Sequence, residues 1–403
     1  MRKFYLISVF VFGALIAFSQ SAIGTYSFIN YDQNHLLFDK DSSSFLNLYK
    51  KMNEINGGSV KKLTIAHIGG SHVQGGVWSN TFLENCQKTF NVQGGGYFVF
   101  PYKMAKTNGQ PYASSFSTGK WTKCRCIRKD FCLPLGMNGI SVTTNDSSNY
   151  FGVALTNRAV CRKFNTVKVY HNFNCSFELY SLVKAEKEDF KEKGYTLFQF
   201  DQLLDSVSFS LVKMDTLQKD FTLFGYSLED RTSSGFYLAG LGANGAASHS
   251  FLRCDYFVPQ LKTIKPDLVV ISLGVNDVQG KDFTKEEFKQ HYDSLITMIK
   301  EASPDAAILL TTTTDNYIKR RTPNKRTGLA EDALIEVMQK HQCAVWDMYE
   351  IMGGYKSIYK WAKVGLASKD RVHFSGKGYK ILGTMMFEAL YKSYLNNQKL
   401  LNK

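Results

Sequence analysis

One stretch of the sequence decides the fold, namely Lys62-Leu63-Thr64-Ile65-Ala66-His67-Ile68-Gly69-Gly70-Ser71-His72. Its first half favours a β-strand, and the two glycines after it permit a sharp reversal of the chain. In an α/β sheet this pattern presents a side chain at the carboxyl end of a strand, the edge where such sheets bind ligands. Ser71 is then expected at a helix start, where free N–H groups favour negative charge. Because Gly-Gly-Ser is also ordinary turn chemistry, the stretch alone does not establish catalysis.

Beyond residue 235, strand-like runs alternate with helical patterns. Strands are predicted at residues 236–241, 268–273, 307–310 and 344–346. Helices are predicted after a capping box at Thr284 and Glu287, over residues 329–341, and from Gly376 onward. This alternation predicts an α/β fold with a doubly wound parallel sheet.

Residues 97–225 have a different pattern, in which turn residues separate short strand-like runs. The strands are predicted at residues 140–144, 150–155, 166–170, 176–181, 196–200, 207–212 and 221–226. This pattern predicts an inserted antiparallel β-sandwich. The charged segment 185–193 is predicted to be an exposed loop or a short helix. The α/β domain is thus predicted in two segments, residues 20–97 and 229–403, around an insertion at residues 98–228.

The amino terminus has the pattern of a secretory signal. The charged residues Met1-Arg2-Lys3 precede an apolar run from Phe4 to Phe18, and small residues mark a cleavage site near Gln20. Residues 1–19 are therefore predicted to be a signal peptide, and the protein is predicted to be periplasmic or secreted. An uncleaved membrane anchor is the alternative.

Charge and cysteine content narrow the classes of partner. The formal net charge is +14, which suits a protein that works near an anionic polymer such as a bacterial cell wall or an acidic polysaccharide. Nucleic acid is disfavoured because the chain carries an export signal and no nucleic-acid-binding motif. The eight cysteines lack the spacing of a zinc site, so disulfides or buried thiols are expected and no metal is predicted.

A set of polar residues follows the predicted strands and could perform acyl transfer. A serine needs a base within hydrogen-bond reach, which His373 can supply, and the imidazole needs an orienting group, which Asp370 can supply. The oxyanion of a tetrahedral intermediate needs donors, and the amides of Ser71 and Gly245 with the Asn276 side chain can provide them.

Four segments resemble, in order, the four sequence blocks of the SGNH (GDSL-like) hydrolases. They are Gly-Gly-Ser-His at residues 69–72, the glycine loop at 242–245, Gly-Val-Asn-Asp at 274–277 and Asp-Arg-Val-His at 370–373. The resemblance implies a three-layer, flavodoxin-like α/β sandwich. Each block alone is weak, but four in the right order between the right elements form a specific signal.

The resemblance also implies roles for single residues. Ser71 would be the nucleophile, His373 the base, and Asp370 its orienting partner. Gly245 and Asn276 would join the Ser71 amide in the oxyanion hole. Gly242 is the rival to Gly245 in the second block.

The branch that this sequence resembles most is the peptidoglycan O-acetylesterases, which carry a histidine after the serine and a β-rich, carbohydrate-binding-like insertion. Here the histidine is His72, which is expected either to line the substrate pocket or to pack beside the turn. One departure is Gly70, since the family usually has aspartate before the serine. In the family that position supports loop geometry rather than the chemistry, so the departure does not imply inactivity.

Several other polar residues are expected to have structural roles. His249 is interpreted as a surface or packing residue, and Asp277 as a turn former. A basic loop after the strand at 307–310 could hold an anionic glycan, although a solvated loop is favoured; it contains Arg320, Arg321, Lys325 and Arg326.

The sequence therefore predicts an exported serine esterase that removes O-acetyl groups from a carbohydrate polymer. Peptidoglycan is the first substrate expected, and a plant or host polysaccharide is the second. The rivals are a lipase-like esterase or thioesterase with an apolar acyl channel, and a glycan-binding protein that has lost turnover. No metal or organic cofactor is implied.

Overall fold

The computed structural model describes residues 25–59, 62–128, 130, 132, 134–173, 176–216 and 220–398. The predicted signal peptide and Cys175 lie outside the described residues. Within the described part of the chain, no helix combines the length and apolar character that crossing a membrane requires.

The strands range from two to ten residues in length. In chain order they are β1 (Leu36–Phe38), β2 (Lys62–Gly69), β3 (Gly94–Val99), β4 (Ala113–Ser117), β5 (Thr122–Arg125), β6 (Ile140–Thr144), β7 (Ser148–Leu155), β8 (Phe164–His171), β9 (Phe177–Ser181), β10 (Glu186–Phe190), β11 (Tyr195–Leu204), β12 (Ser206–Lys213), β13 (Phe221–Asp230), β14 (Gly235–Gly242), β15 (Leu268–Ser272), β16 (Ala307–Thr311), β17 (Tyr317–Ile318), β18 (Thr322–Pro323) and β19 (Ala344–Trp346).

The helices cluster at the two ends of the chain. They are α1 (Leu46–Asn56), α2 (Ser71–Gln74), α3 (Val77–Phe90), α4 (Phe257–Ile264), α5 (Val275–Gln279), α6 (Lys285–Ala302), α7 (Arg326–His341), α8 (Met348–Ile351), α9 (Ser357–Lys363) and α10 (Gly376–Asn396). Short 3-10 turns lie at Tyr31–Gln33, Ser43–Phe45, Lys191–Lys193 and Ser250–Arg253.

A single 13-stranded sheet organises the molecule. Its main path runs β1-β19-β16-β15-β2-β14-β3-β13-β8-β11-β10, and β5 and β6 join it beside β13. The strands from β19 to β3 along this path are parallel to one another. The remaining pairings are antiparallel.

Strand β2 lies where the winding of the sheet changes direction. The chain leaves β2 through α3 and passes over β14 to reach β3, whereas it leaves β14 through α4 and passes over β2 to reach β15. Crossovers in opposite directions open a crevice at the carboxyl ends of the strands, and this crevice is the usual ligand site of a doubly wound sheet. The residue that follows β2 therefore faces the most favourable place for chemistry.

Helices cover both faces of the parallel strands. On one face α3 packs against α10, where the rings of Phe82 and Phe387 meet edge to face at 6.2 Å. On the other face α6 packs against α4 and α7. The predicted capping box is confirmed, since the Glu287 N–H donates to the Thr284 hydroxyl at the start of α6.

The insertion is built on the far half of the same sheet. A second, four-stranded sheet of order β4-β7-β12-β9 packs against β13 and β11 through large apolar side chains. Phe209 of β12 contacts both Phe198 of β11 and Tyr226 of β13, with ring centroids 5.0 and 6.2 Å away. The antiparallel layers of the predicted sandwich are thus present, and one of them is continuous with the parallel sheet. The boundaries at residues 98 and 228 stay predictions.

The prediction for residues 185–193 is wrong in its first half. Glu186–Phe190 forms strand β10, which pairs with β11 at the outer edge of the large sheet, and Lys191–Lys193 forms a 3-10 turn. Charged side chains are compatible with an exposed edge strand because they oppose pairing with another chain. The charge of this segment therefore reflects its edge position rather than a loop.

Candidate active site

Ser71 lies at the carboxyl end of β2 and is the first residue of the short helix α2. The glycine before the turn is required by close packing, since a Cβ on Gly69 would lie 2.3 Å from Val73 Cγ2 and 2.9 Å from the Ser272 carbonyl oxygen. Such distances are too short for any larger residue. The sequence therefore places the serine on a tight turn with little freedom to move.

The Ser71 hydroxyl, the His373 ring and the Asp370 carboxylate form a chain of hydrogen bonds. Ser71 Oγ lies 2.8 Å from His373 Nε2, and His373 Nδ1 lies 2.8 Å from Asp370 Oδ2. With Nδ1–H donating to the carboxylate, Nε2 is left to accept the serine proton. The structure brings together these three residues that the sequence analysis selected.

The Asp370 carboxylate is held in place by its own loop. Its Oδ1 accepts hydrogen bonds from the backbone N–H groups of Val372 at 2.9 Å and His373 at 3.0 Å. Burial alone would raise the pKa of Asp370, but the hydrogen bonds from His373 and Val372 outweigh burial and lower the pKa below its usual value. The carboxylate therefore stays charged beside the imidazole at neutral pH.

Of the expected oxyanion donors, the Asn276 side chain lies beside the serine turn. The Asn276 side chain donates to the Ala246 carbonyl at 2.8 Å, and its Nδ2 would lie 3.4 Å from a Cβ on Gly70. Among the described residues the backbone N–H groups of Ser71 and Gly245 have no hydrogen-bond partner. Free backbone amides and a primary amide are the donor types that stabilise an oxyanion.

Gly242, the rival of Gly245, has a different environment. It is the last residue of β14 and pairs in register with Gly69 of β2. A Cβ on Gly242 would lie 2.3 Å from the backbone nitrogen of Gln74, so glycine is needed for close contact between β14 and α2. Gly245 instead lies in the loop beyond the strand, next to Ala246. Gly245 stays the predicted donor of the second block.

His72 combines both expected environments. Only 7% of it is exposed, and its Nδ1 lies 2.6 Å from the Tyr379 hydroxyl. Its ring packs 5.3 Å from that of His373. Burial, with a smaller contribution from His373, lowers the pKa of His72 to about 3, so the ring is neutral. His72 thus supports the position of His373 while also lining the cavity beside Ser71.

A small cavity of about 20 Å³ opens beside Ser71. Its wall is formed by the serine turn, by the loops after β14, β15 and β16, and by Met348 of α8. This is close to the minimum volume that holds one water molecule. A group of the size of a methyl fits, whereas a long acyl chain does not.

A loop from the insertion covers the glycine loop, and the sequence analysis did not detect it. A disulfide joins Cys124 and Cys132, and between them Arg125 donates a hydrogen bond to the Asn244 carbonyl. Ile127 lies beside Gly245, with its Cδ1 3.4 Å from where a Cβ would be. The clustered cysteines in the sequence were the available signal, but their pairing cannot be deduced from spacing.

One group of side chains has the composition of a metal site. Ligand atoms of His249, Asp277 and His291 all lie within 4.8 Å of one another. The Asp277 carboxylate, however, already accepts hydrogen bonds from the Ser248 N–H at 3.0 Å and from its hydroxyl at 2.5 Å. Burial raises the pKa of Asp277 despite these bonds. Asp277 therefore ties the glycine loop to α5.

The basic loop after β16 divides into two parts. Arg326 donates hydrogen bonds to the carbonyls of Gly280 and Val278 and is thereby structural. Arg320, Arg321 and Lys325 have exposed side chains. The favoured interpretation is a solvated loop. It agrees with the exposure of these three residues, whereas Arg326 has a structural role.

Sequence comparison assigns part of the chain to a known family. Residues 215–381 match the model of the GDSL-like Lipase/Acylhydrolase family, and this segment contains Gly245, Asn276, Asp370 and His373. The match covers less than half of the chain and shows that this segment is similar to the GDSL-like hydrolases. The predicted enzyme class, a carboxylic ester hydrolase, is confirmed. No curated protein matches this sequence.

Solved structures extend the similarity to most of the fold. A structure described as a peptidoglycan O-acetylesterase in action shares 20% identity, covers 90% of this chain and 99% of its own, and has a TM-score of 0.71. A lipase/acylhydrolase from Enterococcus faecalis shares 25% identity over 40% of this chain and 77% of its own, with a TM-score of 0.33. The first similarity confirms the predicted fold class, including the inserted β layers.

Proposed function

We propose that the protein is an exported serine esterase that removes O-acetyl groups from a carbohydrate polymer, with peptidoglycan as its substrate. The observation that carries this proposal is the hydrogen-bonded chain Ser71–His373–Asp370, with both distances at 2.8 Å. A fold shared with a peptidoglycan O-acetylesterase over 90% of the chain supports the choice of polymer.

Hydrolysis would proceed in two acyl-transfer steps. His373 Nε2 takes the proton of Ser71 as Oγ attacks the acetyl carbonyl carbon, and the amides of Ser71 and Gly245 with the Asn276 side chain stabilise the oxyanion. His373 then gives this proton to the departing sugar oxygen, which leaves an acetyl-Ser71 ester. A water molecule, deprotonated by His373, attacks the ester, and acetate leaves as the proton returns to Ser71.

The size of the cavity supports acetyl rather than a long acyl chain. At about 20 Å³ it accepts the methyl group of an acetyl ester. The lipase-like alternative would require an apolar channel leading away from Ser71. Burying several additional methylene groups would need the buried wall residue Met348 to move.

Export is the part of the proposal that rests on the sequence alone. Residues 1–19 have the charge and apolar run of a signal peptide, and peptidoglycan lies outside the cytoplasmic membrane. The net charge of +14 favours association with an anionic cell wall. Fractionation of expressing cells tests this part, because recovery in the cytoplasm would contradict it.

Acetate release is the decisive measurement. The mature protein and its Ser71→Ala variant are incubated with O-acetylated peptidoglycan and with acetylated xylan. We expect acetate from peptidoglycan and a loss of about 1,000-fold or more in the variant. Preference for xylan would support a plant polysaccharide as substrate, and binding of peptidoglycan without acetate release would support a glycan-binding protein.

A further inference from the structure

The loop that carries Asp370 and His373 also holds an arginine between two aromatic rings. The Arg371 guanidinium carbon lies 5.0 Å from the ring centroid of Tyr317 and 5.0 Å from that of Tyr359. The Tyr317 N–H donates to the Arg371 carbonyl at 3.0 Å. Arg371 has a φ of 56°, in the left-handed region, and such conformations concentrate at functional sites. The loop at residues 370–373 is thereby joined to the β17–β18 hairpin and to α9.

The aromatic rings around Arg371 reach the surface. Tyr355 is 40% exposed and Tyr359 is 39% exposed. Chiefly burial, then the nearby Asp315, raises the pKa of Tyr317, and Tyr355 and Tyr359 are close enough to add to the effect. The tyrosines and Arg371 therefore form one cluster beside the proposed catalytic loop. Tyrosine offers an apolar face with a polar edge, which suits contact with both faces and hydroxyls of a sugar.

Exposed cations surround this cluster. Lys356 lies 5.2 Å from the Tyr355 ring centroid, and Lys363 lies 4.8 Å from that of Tyr359. The full set, here called the basic platform, comprises the four residues of the cluster together with Lys319, Arg320, Arg321, Lys356, Lys360 and Lys363.

The cations of the basic platform stand outside the ion pairs of the described part of the chain. None of its cations forms an ion pair with a described carboxylate, although other surface lysines do, such as Lys262 with Glu301. One exposed carboxylate, Glu350, lies near the rim, 3.6 Å from where a Cβ on Gly354 would be. Like charges held together repel one another and lower the stability of the fold. A bound anionic ligand would reduce the repulsion among the platform cations.

We propose that the basic platform binds a carboxylate-bearing glycan strand, with sugar faces against Tyr355 and Tyr359 and carboxylates on the surrounding cations. This inference rests on the proposed function, because it makes the strand the same polymer whose acetyl group reaches Ser71. The platform adjoins His373 through Arg371, so a bound strand would continue directly into the site. A substrate with regularly spaced carboxylates is therefore preferred over a neutral acetylated polysaccharide.

The test compares two double variants with the same change in formal charge. Arg321→Glu with Lys360→Glu alters the platform, whereas Lys50→Glu with Lys265→Glu alters exposed lysines near Asp267, which lies just before β15 at the opposite edge of the sheet. We expect kcat/KM on O-acetylated peptidoglycan to fall about 10-fold or more in the platform variant, through KM, and to stay unchanged in the control. Hydrolysis of 4-nitrophenyl acetate should be unchanged in both.

Further arms separate this inference from failure of the proposed function. In the Ser71→Ala background, sedimentation with insoluble peptidoglycan reports binding without turnover, and the platform variant and Tyr355→Ala should both lose binding. Raising NaCl to about 0.5 M should weaken peptidoglycan binding by the parent protein. The difference in binding between the parent and the platform variant should then disappear. Unchanged binding, or an equal loss with acetylated xylan, overturns the inference.

A rival surface provides one more contradicting outcome. A large cleft of about 1350 Å³ runs between α3 and the loop before β8 and contains Lys88, Arg158 and Lys163. If Arg158→Glu with Lys163→Glu abolishes binding while the platform variant retains it, the strand docks in this cleft and the assignment to the basic platform is wrong.

Discussion

The Ser71 hydroxyl oxygen lies 2.8 Å from Nε2 of His373, although 302 positions separate the two residues in the chain. Ser71 comes from the end of β2, and His373 comes from the loop that leads into α10. Their contact therefore exists only after the parallel sheet has acquired its last helix. Loss of ester hydrolysis during unfolding should coincide with loss of the sheet rather than precede it.

The roles of the two residues that assist Ser71 can be separated by mutation. His373→Ala removes the base, and we expect kcat for 4-nitrophenyl acetate to fall by about 1,000-fold or more. Asp370→Asn keeps most of the shape but favours the wrong imidazole tautomer, so a loss of about 1,000-fold or more is expected as well. His249→Ala alters an exposed histidine outside this set and serves as the control. Retention of activity within about 10-fold in either variant would exclude the proposed mechanism.

Acyl selectivity should follow the size of the cavity beside Ser71. We expect the protein to hydrolyse 4-nitrophenyl acetate at least about 10-fold faster than the butyrate, because each additional buried methylene needs space that the cavity lacks. Met348→Ala should lower the ratio of acetate to butyrate hydrolysis, because loss of this wall side chain enlarges the cavity. Met385→Ala removes an equally buried methionine from α10, away from the cavity, and should leave the ratio unchanged. A ratio near one in the parent would favour a lipase-like activity.

The disulfide loop of the insertion should influence turnover through the glycine loop. Replacing both Cys124 and Cys132 with serine releases the segment that places Arg125 on Asn244 and Ile127 beside Gly245. We expect kcat to fall several-fold and the free energy of unfolding to drop by about 2–3 kcal/mol. Cys343→Ser, at a buried free thiol in the parallel half, is the control. Equal kcat in the parent and the double variant would show that the disulfide loop does not affect catalysis.

Stability toward acid should depend on Glu229. Burial would raise the pKa of Glu229, but Lys168 and Lys62 outweigh burial and lower the pKa from 4.5 to about 2. A depressed pKa means that the charged pairings stabilise the fold above pH 4.5 and are lost as pH falls from 4.5 toward 2. Glu229→Gln should cost on the order of 3 kcal/mol at pH 7 and reduce the loss of stability in that range.

A surface carboxylate offers the matched control for this prediction. Lys285 and Lys289 also lower the pKa of Glu336 to about 2, but Glu336 is exposed to solvent. Since solvent screens exposed pairs, Glu336→Gln should change stability little. Urea unfolding at pH 7 and pH 3 measures both variants, and equal effects would show that the burial of Glu229 is unimportant.

Much of the parallel half could be predicted because its signals are local. The strand that ends at Gly69 is an apolar run closed by glycines, and Thr284 with Glu287 caps α6 within one turn. The site residues follow strand ends, so the rule that parallel strands share an edge was enough to group them. The choice between Gly242 and Gly245 needed coordinates, because it depends on how closely β14 approaches Gln74.

The features that sequence analysis missed depend on distant partners. Strand β10 is charged and resembles a loop until β11 is present beside it. The contact of Arg371 with Tyr317 and Tyr359 joins segments whose spacing gives no signal. Likewise, nothing in a single sequence states that β13 pairs with β3, and this pairing merges the insertion with the parallel sheet.

The pairing of β3 with β13 sets a limit on how this protein can be rebuilt. An insertion excised at residues 98 and 228 would begin inside β3 and end inside β13. Its removal would leave an exposed sheet edge with unpaired backbone groups on the remaining half of the protein. Such an exposed edge promotes aggregation. A foreign domain inserted there would have to supply a strand that pairs with β3. New substrate preferences in this scaffold are therefore more accessible through changes in loops than through exchange of the whole insertion.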